Sequence, residues 1–263
     1  MMIKVIASDI DGTLLPEGSH QLNPRIFDLI LKLKEQGIHF IAASGRQLES
    51  QQELFTPIKD EISYISENGA ICLYEGNRHT ISQFDSNLAK RIIAELENRP
   101  NCKVAISTSR TQYIKSGDAD FYNYMSKQLN YCVTPIDSFY EIQEPIVKIA
   151  FRDVQTHFES FEYFKTLFEK EIRVATAGNL WIDFIPFHSN KGVALKFILE
   201  QMNISPAEVI SFGDQLNDLE MLSYTGTSYA MAHAQPEAQE CATYIIDSVI
   251  DVLEELLNRK TYG

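Results

Sequence analysis

Ile3-Lys4-Val5-Ile6-Ala7-Ser8-Asp9-Ile10-Asp11-Gly12-Thr13 decides how the rest of the chain is read. Ile3 to Ala7 is a short apolar, β-branched run, the pattern of a strand buried on both faces. Two carboxylates and a glycine follow at once. In an open α/β sheet, ligands bind beyond the carboxyl ends of the strands, so Asp9 and Asp11 stand where a ligand would. Alternation along an extended chain sends both side chains to one side. Two like charges so close raise the free energy unless a cation or a shared proton relieves them. The plainer alternative is an Asp-Gly turn with Asp9 as its cap.

Working outward, Asn23-Pro24 supplies an N-cap and a proline suited to the first helical position. Ile26, Leu29, Ile30 and Leu33 recur at helical spacing before Gly37, and residues 38–43 form a second buried strand ending at Ser44-Gly45-Arg46. Strand, helix and buried strand make the βαβ unit of a parallel sheet. Short strands around 64–65, 70–74 and 79–82 are punctuated by Glu67-Asn68-Gly69 and Glu75-Gly76-Asn77, which suits hairpins rather than crossovers. Over 84–187 the texture is mixed. Helices are expected at 87–98, 118–129 and 156–169, and strands at 103–108, 147–152, 173–177 and 180–184, the last two joined at Gly178-Asn179. From Lys191 the βα rhythm resumes with a helix over 191–202, a strand over 209–212 and a short helix over 217–223. Strands at 228–231 and 244–246 follow. A closing amphipathic helix over 249–257 has Val249, Val252, Leu253, Leu256 and Leu257 on one face. The expected fold is therefore α/β. A Rossmann-like parallel-sheet core, residues 1–83 and 188–263, is split by an inserted α+β module, 84–187.

Composition narrows the function. With 263 residues, 44% hydrophobic, 12 Gly and 9 Pro, the chain is an ordinary globular sequence, not a disordered or repetitive one. Lys and Arg total 23 against 36 Asp and Glu, a formal charge of −13. That disfavours a basic nucleic-acid surface and adhesion to an anionic membrane, and leaves room only for a local basic pocket. Cys72, Cys102, Cys132 and Cys241 are widely spaced with no CxxC pair, which suits reduced thiols rather than a zinc site or disulfide framework. The first residues are too short in their apolar run for a signal peptide, and no window approaches the roughly 18 apolar residues of a membrane span. A soluble, cytoplasmic protein is expected.

Three further segments sit at strand ends or helix starts. Ser44-Gly45-Arg46 offers a hydroxyl and backbone N–H groups that could hold a phosphate, or simply a Ser-Gly turn. Ser189-Asn190-Lys191-Gly192 opens a helix with a lysine whose charge opposes the helix dipole, so it asks for an anionic partner; a solvated surface lysine is the alternative. Gly213-Asp214-Gln215-Leu216-Asn217-Asp218 follows an apolar strand. Either acid alone could be a cap. Two carboxylates and an amide together are hard-cation chemistry.

Taken in order, DxDGT, SGR, NKG and GDxxND make the sequence resemble the haloacid dehalogenase superfamily, and within it the Cof-like sugar-phosphate phosphatases. The resemblance spans essentially the whole chain and implies a cap domain inserted after the second motif, here 84–187, that sets substrate specificity. It implies Asp9 as the nucleophile that forms an aspartyl-phosphate, and Asp11 as the acid and then the base. Magnesium would be held by Asp9, the backbone carbonyl of Asp11 and Asp214. Ser44, Gly45, Lys191 and Asn217 would hold the phosphoryl oxygens, and Asp218 would orient Lys191 or the metal shell. Each role suits phosphoryl transfer, which needs in-line positioning and neutralised charge.

Two stretches depart from the family pattern. Met231-Ala232-His233-Ala234 stands where Met-Gly-Asn-Ala is usual, and Asp247-Ser248 where an acidic-Gly segment often helps the last helix start. His188, two residues before Asn190, is a candidate for the pocket edge, and Arg46 for added positive charge. Trp181 and Asp183 are candidates for substrate contact, though core packing suits Trp181 better. The implied function is a Mg²⁺-dependent phosphatase of small phosphorylated metabolites, sugar phosphates or phosphorylated cofactors. A phosphomutase of sugar phosphates and a non-catalytic phosphometabolite-binding regulator are the alternatives; a dehalogenase would have no use for Asp11 or the Asp214 cluster.

Overall fold

The computed structural model describes residues 2–261 apart from 17, 20, 100, 101, 154, 155, 178 and 179. The chain divides into two compact units, Met1–Ile81 with Asn190–Gly263, and Ser82–Ser189. The inserted unit thus begins at 82 and ends at 189, against 84 and 187 as read from the sequence. The joint at Gly178-Asn179 lies outside the described residues.

In chain order the strands are β1 Val5–Asp9, β2 His39–Ala43, β3 Ser63–Ser66, β4 Ile71–Tyr74, β5 Asn77–Thr80, β6 Lys103–Ser107, β7 Gln112–Lys115, β8 Val133–Ile136, β9 Lys148–Arg152, β10 Arg173–Ala177, β11 Trp181–Ile185, β12 Val209–Gly213, β13 Thr227–Met231 and β14 Tyr244–Ile246. The discontinuous unit carries the sheet β14-β13-β12-β1-β2-β3-β4-β5. From β14 through β3 every neighbouring pair is parallel, and β4 and β5 fold back as antiparallel hairpins. Helix Pro24–Glu35 buries Ile26, Leu29, Ile30 and Leu33, and Asn23 caps it by accepting the Arg25 N–H at 3.0 Å. Alternation along β1 sends Ile6 to one face, with Ile26, Ile30 and Leu253, and Val5 and Ala7 to the other, with Leu195 and Ile198. Each such Val, Leu or Ile side chain contributes roughly 1.5–3 kcal/mol by leaving water.

Register positions the site. On β1, Ser8 pairs with Phe212 of β12 and Asp9 with Ala43 of β2. The carboxyl ends of the three strands therefore stop level, and Asp9, Ser44 and Asp214 emerge along one edge. The first strand runs to Asp9 itself, where the sequence reading stopped it at Ala7.

In the inserted unit the order is β10-β11-β9-β6-β7-β8, antiparallel except for β7 beside β8. Helices Ser86–Glu97 and His157–Phe168 belong to a core that includes Ile106, Ile149, Phe151, Ile182 and Phe184. Phe121 and Met125 pack with Ala105, Ile114 and the partly buried Trp181 in a second cluster, so Trp181 serves packing. The helix expected over 118–129 is an α-helix only over Ala119–Asn123 and widens to a π-type turn over Tyr124–Gln128. Strands β7 and β8 escaped the sequence reading. Pro135 argues against a strand, but a proline is tolerated in β8 because that strand lies at the sheet edge.

All four cysteines are unbridged, and burial pushes the Cys72 thiol up to about 12. No helix among the described residues is long and apolar enough to cross a membrane. His39 opens β2 with Nε2 2.8 Å from Ser63 Oγ. Burial, reinforced by the charge of Lys34, lowers its pKa from 6.5 to about 4. The folded protein keeps His39 neutral where the unfolded chain takes up a proton. That stability is full above pH 6.5, and acidification from 6.5 to 4 is expected to remove up to about 3 kcal/mol. Urea midpoints between pH 7 and 4 check this: His39→Gln should flatten the decline, and an unchanged slope would assign it to other groups.

Candidate active site

Asp9 ends β1, and the loop after β12 brings Asp214 and Asp218 to the same edge. Helix Lys191–Met202 starts beside them, capped by Asn190, whose Oδ1 accepts the Val193 N–H at 2.8 Å. Lys191 is fully buried, with Nζ 2.5 Å from Asp9 Oδ1 and 2.6 Å from Asp218 Oδ1. That removes the solvated-lysine alternative. Burial opposes the ammonium charge, but Asp218 and Asp9 outweigh it and raise the Lys191 pKa. Asp9 Oδ2 is buried with no hydrogen-bond partner. Burial, against the pull of Lys191 and with added repulsion from Asp218 and Asp214, raises the Asp9 carboxyl well above the usual range. The Asp214 carboxyl is raised as well, first by burial.

Asp9, Asp214 and Asp218 each offer an oxygen within 4.8 Å of the others. Their capacities differ. Asp218 Oδ1 takes Lys191, and its Oδ2 accepts the N–H groups of Asp214 and Gln215, both at 3.0 Å. Asp218 is thereby occupied as a brace for Lys191 and the loop, which leaves Asp9 and Asp214 with lone pairs to offer. Asp214 is aimed by Thr13 Oγ1 on Oδ1 at 3.0 Å and by Gln215 Nε2 on Oδ2 at 2.8 Å. Gly12, at φ +87°, makes this approach possible, since a Cβ there would lie 2.3 Å from Asp214 Oδ2. An anionic, all-oxygen donor set with one orphaned buried carboxylate oxygen fits a hard divalent cation such as Mg²⁺.

Asp11 sits apart from this cluster. Arg46 grips its carboxylate through Nε to Oδ2 at 2.8 Å and Nη2 to Oδ1 at 2.5 Å, and Ser44 Oγ donates to Oδ2 at 3.4 Å. Arg46 is therefore paired rather than solvated. Asn217 donates from Nδ2 to Asn68 Oδ1 at 3.0 Å, and the Asn68 amide lies against Gly45. Asp9, Asp11, Ser44, Gly45, Arg46, Lys191, Asp214, Asn217 and Asp218 all belong to the discontinuous unit. Trp181, the buried Asp183 and the exposed His188 belong to the inserted one.

Several residues near the motifs were passed over in the sequence. Thr13, two residues after Asp11, and Gln215, next to Asp214, lie inside the quoted motifs, and a polar side chain close to an acid was the available signal. His233, noticed only as a departure, places Nε2 2.8 Å from the Gly12 carbonyl. Ser248, at the second departure, accepts the Asp251 N–H at 3.4 Å and so helps start the last helix. Asn68 carried no signal beyond a turn, and Gln51, in the helix Leu48–Leu54 that the sequence reading does not include, carried none.

The chain is similar to known proteins along most of its length. The description haloacid dehalogenase-like hydrolase matches residues 6–252. The 5-amino-6-(5-phospho-D-ribitylamino)uracil phosphatase YbjI of Escherichia coli is 27% identical over 99% of this chain and 98% of its own. The phosphatase YcsE of Bacillus subtilis, named for the same substrate, is 23% identical over 95% of this chain and 92% of its own. A haloacid dehalogenase-like hydrolase from Bacteroides thetaiotaomicron superposes with a TM-score of 0.83 at 21% identity, covering 97% of this chain and 99% of that one, and shares the fold. The chain belongs to the haloacid dehalogenase-like hydrolase family, and the relatives it matches along its length are named phosphatases.

Proposed function

We propose that this phosphatase hydrolyses phosphate monoesters of small metabolites, sugar phosphates or phosphorylated cofactors, through an aspartyl-phosphate on Asp9 with Mg²⁺ as cofactor. The observation that carries the reading is the Asp9 carboxylate, with one oxygen on a buried lysine and the other orphaned among carboxylates. Asp9 bonds to phosphorus as the ester P–O bond breaks, and the leaving oxygen departs with a proton. Water then attacks the aspartyl-phosphate, inorganic phosphate leaves and Asp9 is restored. Asp11 gives the leaving oxygen its proton in the first step and takes one from the attacking water in the second, so the two steps together leave it as it began. Its carboxylate must come off Arg46 to do so. Lys191, with three N–H donors and two carboxylate partners, has one left for a phosphoryl oxygen. Ser44 Oγ, the Gly45 N–H and the Asn217 amide complete the set.

Mg²⁺ would be held by Asp9, Asp214 and the Asp11 carbonyl, and when bound it offsets the repulsion between an anionic carboxylate and an anionic phosphate. The inserted unit, 84–187 in the sequence reading, recognises the organic part of the substrate, with Asp183 within it and His188 just after it as candidate contacts. Substrates resembling the phosphoribitylamino-uracil of the two named relatives belong in the first panel. Phosphate release from sugar phosphates, nucleotides and cofactor phosphates is expected with Mg²⁺ and should stop with EDTA. Transfer to a second sugar hydroxyl in place of release would point to a mutase. Tight binding without either product would overturn catalysis.

A further inference from the structure

Glu67, Asn68 and Gly69 lie consecutively in the left-handed region, at φ +50°, +56° and +92°. Two of the three carry side chains, a conformation L-residues adopt reluctantly and one that collects at functional sites. Glu67 and Asn68 are both buried. What this turn touches accounts for its position. The Asn68 N–H donates to the Ser44 carbonyl at 3.2 Å and the Glu67 N–H to the Arg46 carbonyl at 3.1 Å. Gln51, fully buried, ties the same segment from below, its Nε2 donating to the carbonyls of Arg46 at 3.2 Å and Ile65 at 3.1 Å. On its other side the turn meets the start of the Lys191 helix so closely that a Cβ on Gly69 would lie 2.1 Å from the Asn190 carbonyl oxygen. From its tip, Asn68 Oδ1 accepts the Asn217 amide at 3.0 Å. One strained turn therefore contacts all three segments assigned to the phosphoryl oxygens.

We infer that Asn68 is a positioning residue that fixes the orientation of the Asn217 amide. A carboxamide can turn over, presenting either its oxygen or its nitrogen to a ligand. An oxygen facing a phosphate would repel it. With one Nδ2 hydrogen committed to Asn68 Oδ1, the amide cannot turn over without losing that bond, and its second hydrogen stays available for the anion. The backbone bonds from Asn68 to Ser44 and from Glu67 to Arg46 set the distance between the Asn217 amide and the Ser44 hydroxyl. The inference rests on the assignment of Asn217 to the phosphate made above.

The test is a double-mutant cycle on the affinity of the full-length protein for inorganic phosphate in Mg²⁺, measured by calorimetry so that turnover is not needed. Asn68→Gly keeps the left-handed backbone and its N–H to Ser44 but removes the acceptor. It is expected to weaken phosphate about tenfold, as for one lost hydrogen bond to a charged group, with an unchanged melting temperature. Added to Asn217→Ala it should cause no further loss, since both changes remove the same donor. If Asn68→Gly melts early, Asn68→Asp takes its place: it retains an acceptor, so adding Asn217→Ala must still weaken phosphate. Wild-type affinity in Asn68→Gly, or losses in the two single variants that simply multiply, would overturn the inference. If the wild type releases phosphate but Asn217→Ala binds it normally, the positioning role fails and the phosphatase stands. If the wild type neither binds nor releases phosphate, both fall.

Discussion

Asp9→Asn is expected to abolish phosphate release, a fall of about 10⁴-fold or more, in a protein that still folds cooperatively. The size follows from the role. An amide is a poor nucleophile, and no other carboxylate in the cluster is both buried and left with an orphaned oxygen. Folding survives because Asn matches Asp in volume and Lys191 keeps Asp218 Oδ1 at 2.6 Å. The substitution also takes one charge from three crowded carboxylates, which removes repulsion in the absence of a cation. Steady-state release, a melting curve without metal and the mass of acid-quenched protein after mixing with substrate give the three readouts. Wild type should carry one added phosphoryl group and the variant none. A variant that keeps a rate close to wild type, or that traps the same adduct, would move the nucleophile elsewhere.

Lys191→Met should damage stability and rate together. The side chain has no exposure and its ammonium is the cation that two buried carboxylates share. Removing one partner of a buried pair strands the other charges, and the expected loss is about 3–5 kcal/mol. Methionine fills nearly the same volume, so this loss reports charge rather than a cavity. The rate should fall about 10²–10³-fold as well, the usual consequence of losing one donor to developing negative charge. Excess Mg²⁺ is expected to restore part of the stability by replacing a positive charge near Asp9 and Asp214, and little of the rate. Urea midpoints with EDTA and with Mg²⁺, beside phosphate release, separate the two effects. Wild-type stability in EDTA would mean that the carboxylates relax apart at no cost, and the shared-cation account would fail.

The sequence made the core strands, their parallel order and the strand-end placement of Asp9, Ser44 and Asp214 legible, because strand periodicity and βαβ spacing are local signals. It did not reveal β7 or β8. Gln112–Lys115 is a short strand, and Pro135 disguises an edge strand that only its neighbour identifies. Helix Pro236–Cys241 and the switch to a π-type turn at Tyr124 were equally silent. Roles within the motifs divided in the same way. Lys191 read as surface or ligand with equal weight until its burial between Asp9 and Asp218 was seen. Arg46 read as added positive charge for the pocket, and it is bound to Asp11 across 35 positions of sequence.

By itself the sequence determined which residues stand at the ends of which strands, and hence the kind of chemistry the edge of the sheet can support. It could do so because pattern and spacing act over a few residues. Tertiary structure alone decided how those residues share their hydrogen bonds. Asp218 is spent on Lys191 and two backbone N–H groups, Asp9 keeps an oxygen without a partner, and a strained turn at Asn68 holds Asn217 from 149 positions away. Hydrogen-bond capacity is a property of the assembled neighbourhood, and no local pattern in the chain encodes it.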